Sequence, residues 1–179
     1  MANQELLQKV FNRMGLKEFR WIDPKEIAVA QWVRMKCMFG CDSYGKNASC
    51  PPNTPSIPEC RAIFDSYKLG TIFRFSKRLD DPEERHEWTK GVNKGLHELE
   101  KQVFNAGHYK AFMLFVDNCR LCRDCTSSRA SCRNKKMSRP SPEAMGVDVF
   151  ETATKFGLSI NVLPDENQEM NMYAILLIE

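Results

Sequence analysis

Four cysteines fall between positions 119 and 132, in the order Cys119-Arg120-Leu121-Cys122-Arg123-Asp124-Cys125 and then Cys132. Three sulfurs within seven residues, in a polar stretch, do not fit a packed core. A polynuclear metal site does use such spacing, because two intervening residues let the backbone wrap the metal and aim N–H groups at sulfur. Iron–sulfur proteins use C-x2-C-x2-C followed by a further cysteine, here with a longer last gap. Zinc sites more often use separated C-x2-C pairs, and zinc is the alternative metal. A second set, Cys37, Cys41, Cys50 and Cys60, has wider gaps. Four plus four cysteines is the number that two [4Fe–4S] clusters require. Cys50 precedes Pro51, a step that follows ferredoxin ligands, where proline removes an N–H next to the sulfur. Cys60 shares an apolar helix face with Ile63, Phe64 and Tyr67, where a buried non-ligand cysteine fits equally well.

Other chemistry is poorly supported. Gly40-Cys41-Asp42-Ser43-Tyr44-Gly45-Lys46 matches a phosphate-binding loop, but Asn47 replaces the Mg²⁺-binding hydroxyl residue. Pro51-Pro52 also occupy the place where that motif's helix begins. His86, His97 and His108 recur every eleven residues, about 16 Å apart along a helix, too far to share a metal. No dinucleotide, catalytic-triad or H-E-x-x-H pattern is present.

Charge is uneven. From 119 to 139, Arg120, Arg123, Arg129, Arg133, Lys135, Lys136 and Arg139 face only Asp124, a net +6, whereas the whole chain carries +3. Local compensation of anionic thiolates explains part of this, and an acidic redox partner or a phosphate-bearing ligand is the sharper reading. Nucleic acid is not expected, since no aromatics interleave for stacking. The 179 residues, 42% hydrophobic and 27% charged, predict one domain spanning 1–179. No apolar run approaches a membrane span, and Met1-Ala2-Asn3-Gln4-Glu5 does not read as a signal peptide. The expected compartment is the cytoplasm, where eight cysteines argue for metal rather than disulfides.

Periodicity supplies the framework. Helices are expected over 3–14, 57–67, 81–107 and 141–156. Residues 27–35 satisfy both a helix start, Asp23-Pro24-Lys25-Glu26, and a strand alternation. Strands are expected at 19–21, 71–75, 111–116, 158–163 and 172–178. The run 111–116 reads as a central strand, parallel to 71–75 through a right-handed crossover. The last two strands read as antiparallel neighbours. The fold class is α+β, with a mixed sheet, flanking helices and cysteine-rich loops.

Several stretches together carry a family resemblance. They are Lys36 to Cys41, Tyr44-Gly45-Lys46, Cys50-Pro51-Pro52, the cysteine run, and Arg139 to Asp148. The chain resembles a prokaryotic family called domain of unknown function 2284, described as predicted metal-binding proteins. The resemblance implies metal binding through Cys37, Cys41, Cys50, Cys119, Cys122, Cys125 and Cys132, and carries over least directly to Cys60. It names no reaction. Three functions follow from the residues: an iron–sulfur protein in electron transfer or accessory redox work, an enzyme using an incompletely ligated cluster, and a zinc-stapled interaction module.

Overall fold

A computed structural model describes residues 2–78, 81, 84–163 and 168–179, with the side chains of Ala2 and Asn3 left out. Pro82 and Glu83 of the expected helix start, and residues 164–167 of the expected polar turn, lie outside these. The elements in chain order are α1 (Ala2–Arg13), β1 (Phe19–Ile22), a 3-10 turn (Pro24–Glu26), α2 (Gln31–Gly40), α3 (Ile57–Asp65), β2 (Gly70–Lys77), α4 (Glu84–Asn105), β3 (Phe112–Leu114), a second 3-10 turn (Glu143–Met145), α5 (Val149–Lys155) and β4 (Met170–Leu177).

The described strands form a four-stranded sheet in the order β1-β2-β4-β3, with every adjacent pair antiparallel. This is an α+β fold, but the sheet is not mixed. β2 and β3 do run in the same direction, yet β4 lies between them and hydrogen-bonds to both. The reason is visible in β4 itself. Tyr173, Ile175 and Leu177 face one core while Ala174, Leu176 and Ile178 face the other, so this stretch is buried on both sides. Such a strand belongs in the centre. β3 is accordingly an edge strand, not the central one its apolar run implied. Its two-sided burial comes from Met113 and Phe115 entering one core and Leu114 the other. The backbone beyond β3 is covered as well: Phe115 N donates to Pro140 O at 2.9 Å, and Asn93 Nδ2 donates to Val116 O at 2.9 Å.

α1 and α4 cover one face of the sheet through Leu7, Phe11, Leu96, Leu99 and Val103. α3 and α5 cover the other through Cys60, Phe64 and Ala153. Phe11 anchors the first core with edge-on contacts to Phe19 and Phe73, centroids 5.2 and 5.1 Å away.

Three local expectations need correction. Residues 158–163 form no strand, so the expected antiparallel pair between this stretch and β4 is absent, and β4 pairs with β2 and β3 instead. Leu158 instead packs into the second core beside α5. The expected helix 141–156 is broken after Met145, because Gly146 is left-handed (φ 76°) and a Cβ there would run into Ile57 Cδ1. Asp148 then caps α5 by accepting from Glu151 N at 3.0 Å. The ambiguous segment before Cys37 resolves as an extended bridge, Val29 to Val147, followed by α2.

One buried ion pair locks the end of the basic segment to this frame. Glu100 of α4 accepts from Arg139 Nε at 2.8 Å and from Met113 N of β3 at 2.8 Å, and its other oxygen pairs with Arg139 Nη2. Arg139 also lies over the Phe112 ring, 5.2 Å from its centroid. Removing one member strands the other charge. Glu100→Ala should destabilise the fold by about 3 kcal/mol, and Glu100→Gln by less, in urea unfolding followed by circular dichroism.

Candidate metal centre

α2 carries Cys37 and ends just before Cys41. Its position is set by main-chain and side-chain bonds to the 143–148 segment. Ala30 N donates to Gly146 O at 2.9 Å and Asp148 N to Ala28 O at 2.8 Å. Arg34 Nη2 donates to Pro55 O at 3.0 Å and Ala144 O at 3.1 Å, so one guanidinium joins α2, the loop before α3 and the second 3-10 turn. From Cys41 the chain runs through tight turns, Tyr44 N to Cys41 O, Lys46 N to Ser43 O and Cys50 N to Asn47 O, each 3.1 Å. These turns bring Cys37, Cys41 and Cys50 to the wall of one cavity of about 430 Å³.

The second set leaves the sheet beyond β3. Asp117 adopts φ 56°, an uncommon left-handed conformation for a non-glycine residue, and its carboxylate pairs with Arg85 at 3.3 Å. Asp117 thereby turns the chain out of the sheet, and Cys119, Cys122 and Cys125 follow along a second cavity of about 600 Å³. Cys132 comes back beside them, its Sγ 3.6 Å from Ser138 Oγ.

The two cysteine loops are bonded directly to each other. Asn47 Nδ2 donates to Cys119 O at 2.7 Å. Asn53 Nδ2 donates to Ser127 O at 2.9 Å, and its Oδ1 accepts from Arg129 N at 3.3 Å. Ser127 Oγ donates to Lys46 O at 3.0 Å, and Asn118 Nδ2 donates to Ser43 Oγ. Two N–H groups are aimed at sulfur: Ala48 N at Cys125 Sγ (3.3 Å) and Asn134 Nδ2 at Cys122 Sγ (3.0 Å). These donors come from outside the three-cysteine run, Ala48 from the other loop altogether.

Burial, then the neighbouring Cys41 and Cys37 sulfurs, push the Cys50 thiol up to about 12. Burial and Cys41 raise Cys37, and burial raises Cys119, partly offset by the Leu121 N–H. A cysteine metal ligand must be a thiolate, so a cation bound here would have to deprotonate these thiols. Among the described residues, no three His, Cys, Asp or Glu side chains are arranged to hold a single metal ion.

Cys60 stands apart. Its side chain is fully buried in the second core, with Sγ 3.5 Å from Pro55 O. The charged groups acting on it are Arg34 and Glu59, not cysteines. Cys37, Cys41 and Cys50 thus line one cavity, Cys119, Cys122 and Cys125 line another, and Cys60 lies in the core.

Sequence reasoning did not single out Arg85, Asp117 and Glu143. All three line both the three-cysteine cavity and an adjoining groove of about 560 Å³, which also reaches Cys37 and Cys41. Glu143 is exposed by area because it lines this space, yet protein atoms crowd its carboxyl and push its titration upward. The only sequence signal for these residues was their place: the start of α4, the end of a strand, and the Ser-Pro-Glu step.

The chain is a member of the family described as Predicted metal-binding protein (DUF2284), whose model matches residues 20–178. No curated protein and no solved structure matches it. Among the described residues, no helix is long and apolar enough to cross a membrane.

Asn47 is the buried residue on which the loop contact turns, because its Oδ1 also accepts from Ser49 N at 3.0 Å. Asn47→Ala should cost about 1–3 kcal/mol and lower the thermal midpoint, measured by calorimetry on matched samples. An exposed control, Lys46→Ala, should change little.

Proposed function

We propose that this protein is a cytoplasmic iron–sulfur protein in electron transfer or accessory redox work. Cys119, Cys122, Cys125 and Cys132 would hold one [4Fe–4S] cluster through four thiolates, and Cys37, Cys41 and Cys50 a second through three. The observation that carries this reading is the pair of N–H donors directed at Cys122 and Cys125 within a C-x2-C-x2-C run. When bound, such clusters supply one-electron transfer. The chain's own residues then set the conditions. Thiolates fix the irons, and the Ala48 and Asn134 N–H groups draw charge from sulfur, which raises a cluster's potential.

The basic segment supports an acidic partner, but not through all of its residues. Arg139 is committed to Glu100, and Arg129 donates to Ser138 Oγ and Lys135 O. Arg123, Arg133, Lys135 and Lys136 stand exposed beside the four-cysteine loop, and with Arg120 they are the side chains that would meet acidic groups.

A second reading, an enzyme using an incompletely ligated cluster, is favoured by the place of Cys60. Three thiolates leave one iron of such a cluster without a protein sulfur. The groove beside Cys37 and Cys41 offers Arg85 and Asp117 to orient a small molecule there, and Glu143 to hold a proton. A zinc-stapled module is the remaining alternative.

Metal analysis separates these readings. Protein isolated without oxygen should be brown, with iron and acid-labile sulfide near eight of each per chain, as two four-iron clusters require. Stoichiometric zinc without sulfide would contradict the proposal. Cys60→Ala should keep the full iron content and spectrum, whereas Cys50→Ala should lose about half the iron. Loss of iron in Cys60→Ala would restore a four-thiolate first site and favour the carrier over the enzyme.

A further inference from the structure

Residues of both cysteine loops, Ala48 and Arg129 among them, line a cavity of about 350 Å³ that contains no cysteine and that the metal reading does not use. Its size falls within the range of small-molecule sites. α3, β3 and β4 supply apolar walls, including Ile63, Phe112, Leu114 and Leu177, and Met145 closes one side. Most of the polar lining comes from the cysteine loops and their flanks, with Asn53, Thr54, Arg129 and Arg139 among it, and no carboxylate is in the lining.

The two arginines differ in their commitments. Arg139 is neutralised by Glu100. Among the described residues, no ion pair joins Arg129 to a carboxylate. It is held by a hydroxyl and a carbonyl, Ser138 Oγ and Lys135 O, which take two of its five N–H donors. The result is a partly solvent-exposed guanidinium held by two bonds, with no carboxylate partner and donors to spare, in the lining of a largely apolar cavity. Thr54 Oγ1, also in the lining, is buried with no protein partner among the described residues.

We infer that this cavity binds a small organic monoanion, a carboxylate head on an apolar body the size of one ring or a short chain. The head pairs with Arg129 and the body lies against Ile63 and Phe112. An apolar body alone would not need an arginine held in place, and a cation would meet Arg129 with no compensating acid. The site is independent of which metal the cysteines hold. It does touch them indirectly, because Ser138 accepts from Arg129 and also contacts Cys132. Occupancy would therefore be felt in the four-cysteine loop.

Calorimetric titration of the full chain, purified without oxygen, tests this with benzoate, benzyl alcohol and benzylammonium. Benzoate should bind at one site at least about tenfold more tightly than either of the others, the worth of one charge-assisted hydrogen bond. Arg129→Gln should abolish that preference and Arg129→Lys should restore most of it. Ile63→Trp, which fills the cavity from an apolar wall, should remove binding of all three while metal content and circular dichroism stay unchanged. Equal affinity for benzoate and benzyl alcohol would overturn the inference. So would an absence of saturable heat at about 10 mM benzoate, where even a millimolar site fills. A preference for benzoate that survives Arg129→Gln would show that Arg129 serves only the cysteine loop. Should Arg129→Gln fail to fold, the selectivity of the unmodified chain and the Ile63→Trp result still decide.

Discussion

The contact between residues 46–53 and 118–129 is the constraint on which the site depends. Each segment is short of large apolar side chains, so neither can bury enough surface to order itself. Their backbone groups must find partners elsewhere, and several find them in each other. Asn47 and Asn53 act as the joints: each uses its amide to bond the other segment's main chain. Asparagine suits this task because one side chain offers both donor and acceptor on a short stem. The consequence is electrostatic as well as mechanical. Cys50 and Cys119, from different segments, lie close enough that ionisation of one disfavours ionisation of the other.

The sheet supplies the reference for this arrangement. β3 ends at the exit of the cysteine loop, and Pro140 returns to cover it, so the loop is pinned at both ends by the same edge. Glu100 ties that return to α4 through Arg139 and to β3 through Met113. On the other side, Arg34 holds α2 against the 143–148 segment, whose left-handed Gly146 lets Ile57 approach closely. Both thiol groups are therefore mounted on loops, but the loops spring from well-buried elements. That combination gives a metal site access to solvent and partners without giving up its geometry.

The parts of this picture that sequence reveals are those governed by local chemistry. The C-x2-C-x2-C run, the amphipathic stripes of α1 and α4 and the unusual position of Cys60 all follow from spacing and side-chain type. The sheet order does not. Residues 111–116 and 173–178 are both continuous apolar runs, and nothing in either says which lies at the centre. Long-range strand pairing decides it: β4 hydrogen-bonds to both β2 and β3, while β3 pairs on one side only. The break at Gly146 and the failure of 158–163 to pair are likewise tertiary effects. Arg85, Asp117 and Glu143 converge from three distant stretches, so no sequence window contains them together. The same holds for Ala48 N reaching Cys125, a contact across 77 positions of chain.

If the two thiol groups belong to one structural unit, damage to one must be felt in the other. Hydrogen exchange, followed by mass spectrometry on the unmodified chain and Cys122→Ser, measures this directly. The account predicts that protection falls in residues 46–54 and 119–134 together, while α4, β2 and β4 keep theirs. A loss confined to 119–134, with 46–54 as protected as before, would contradict it.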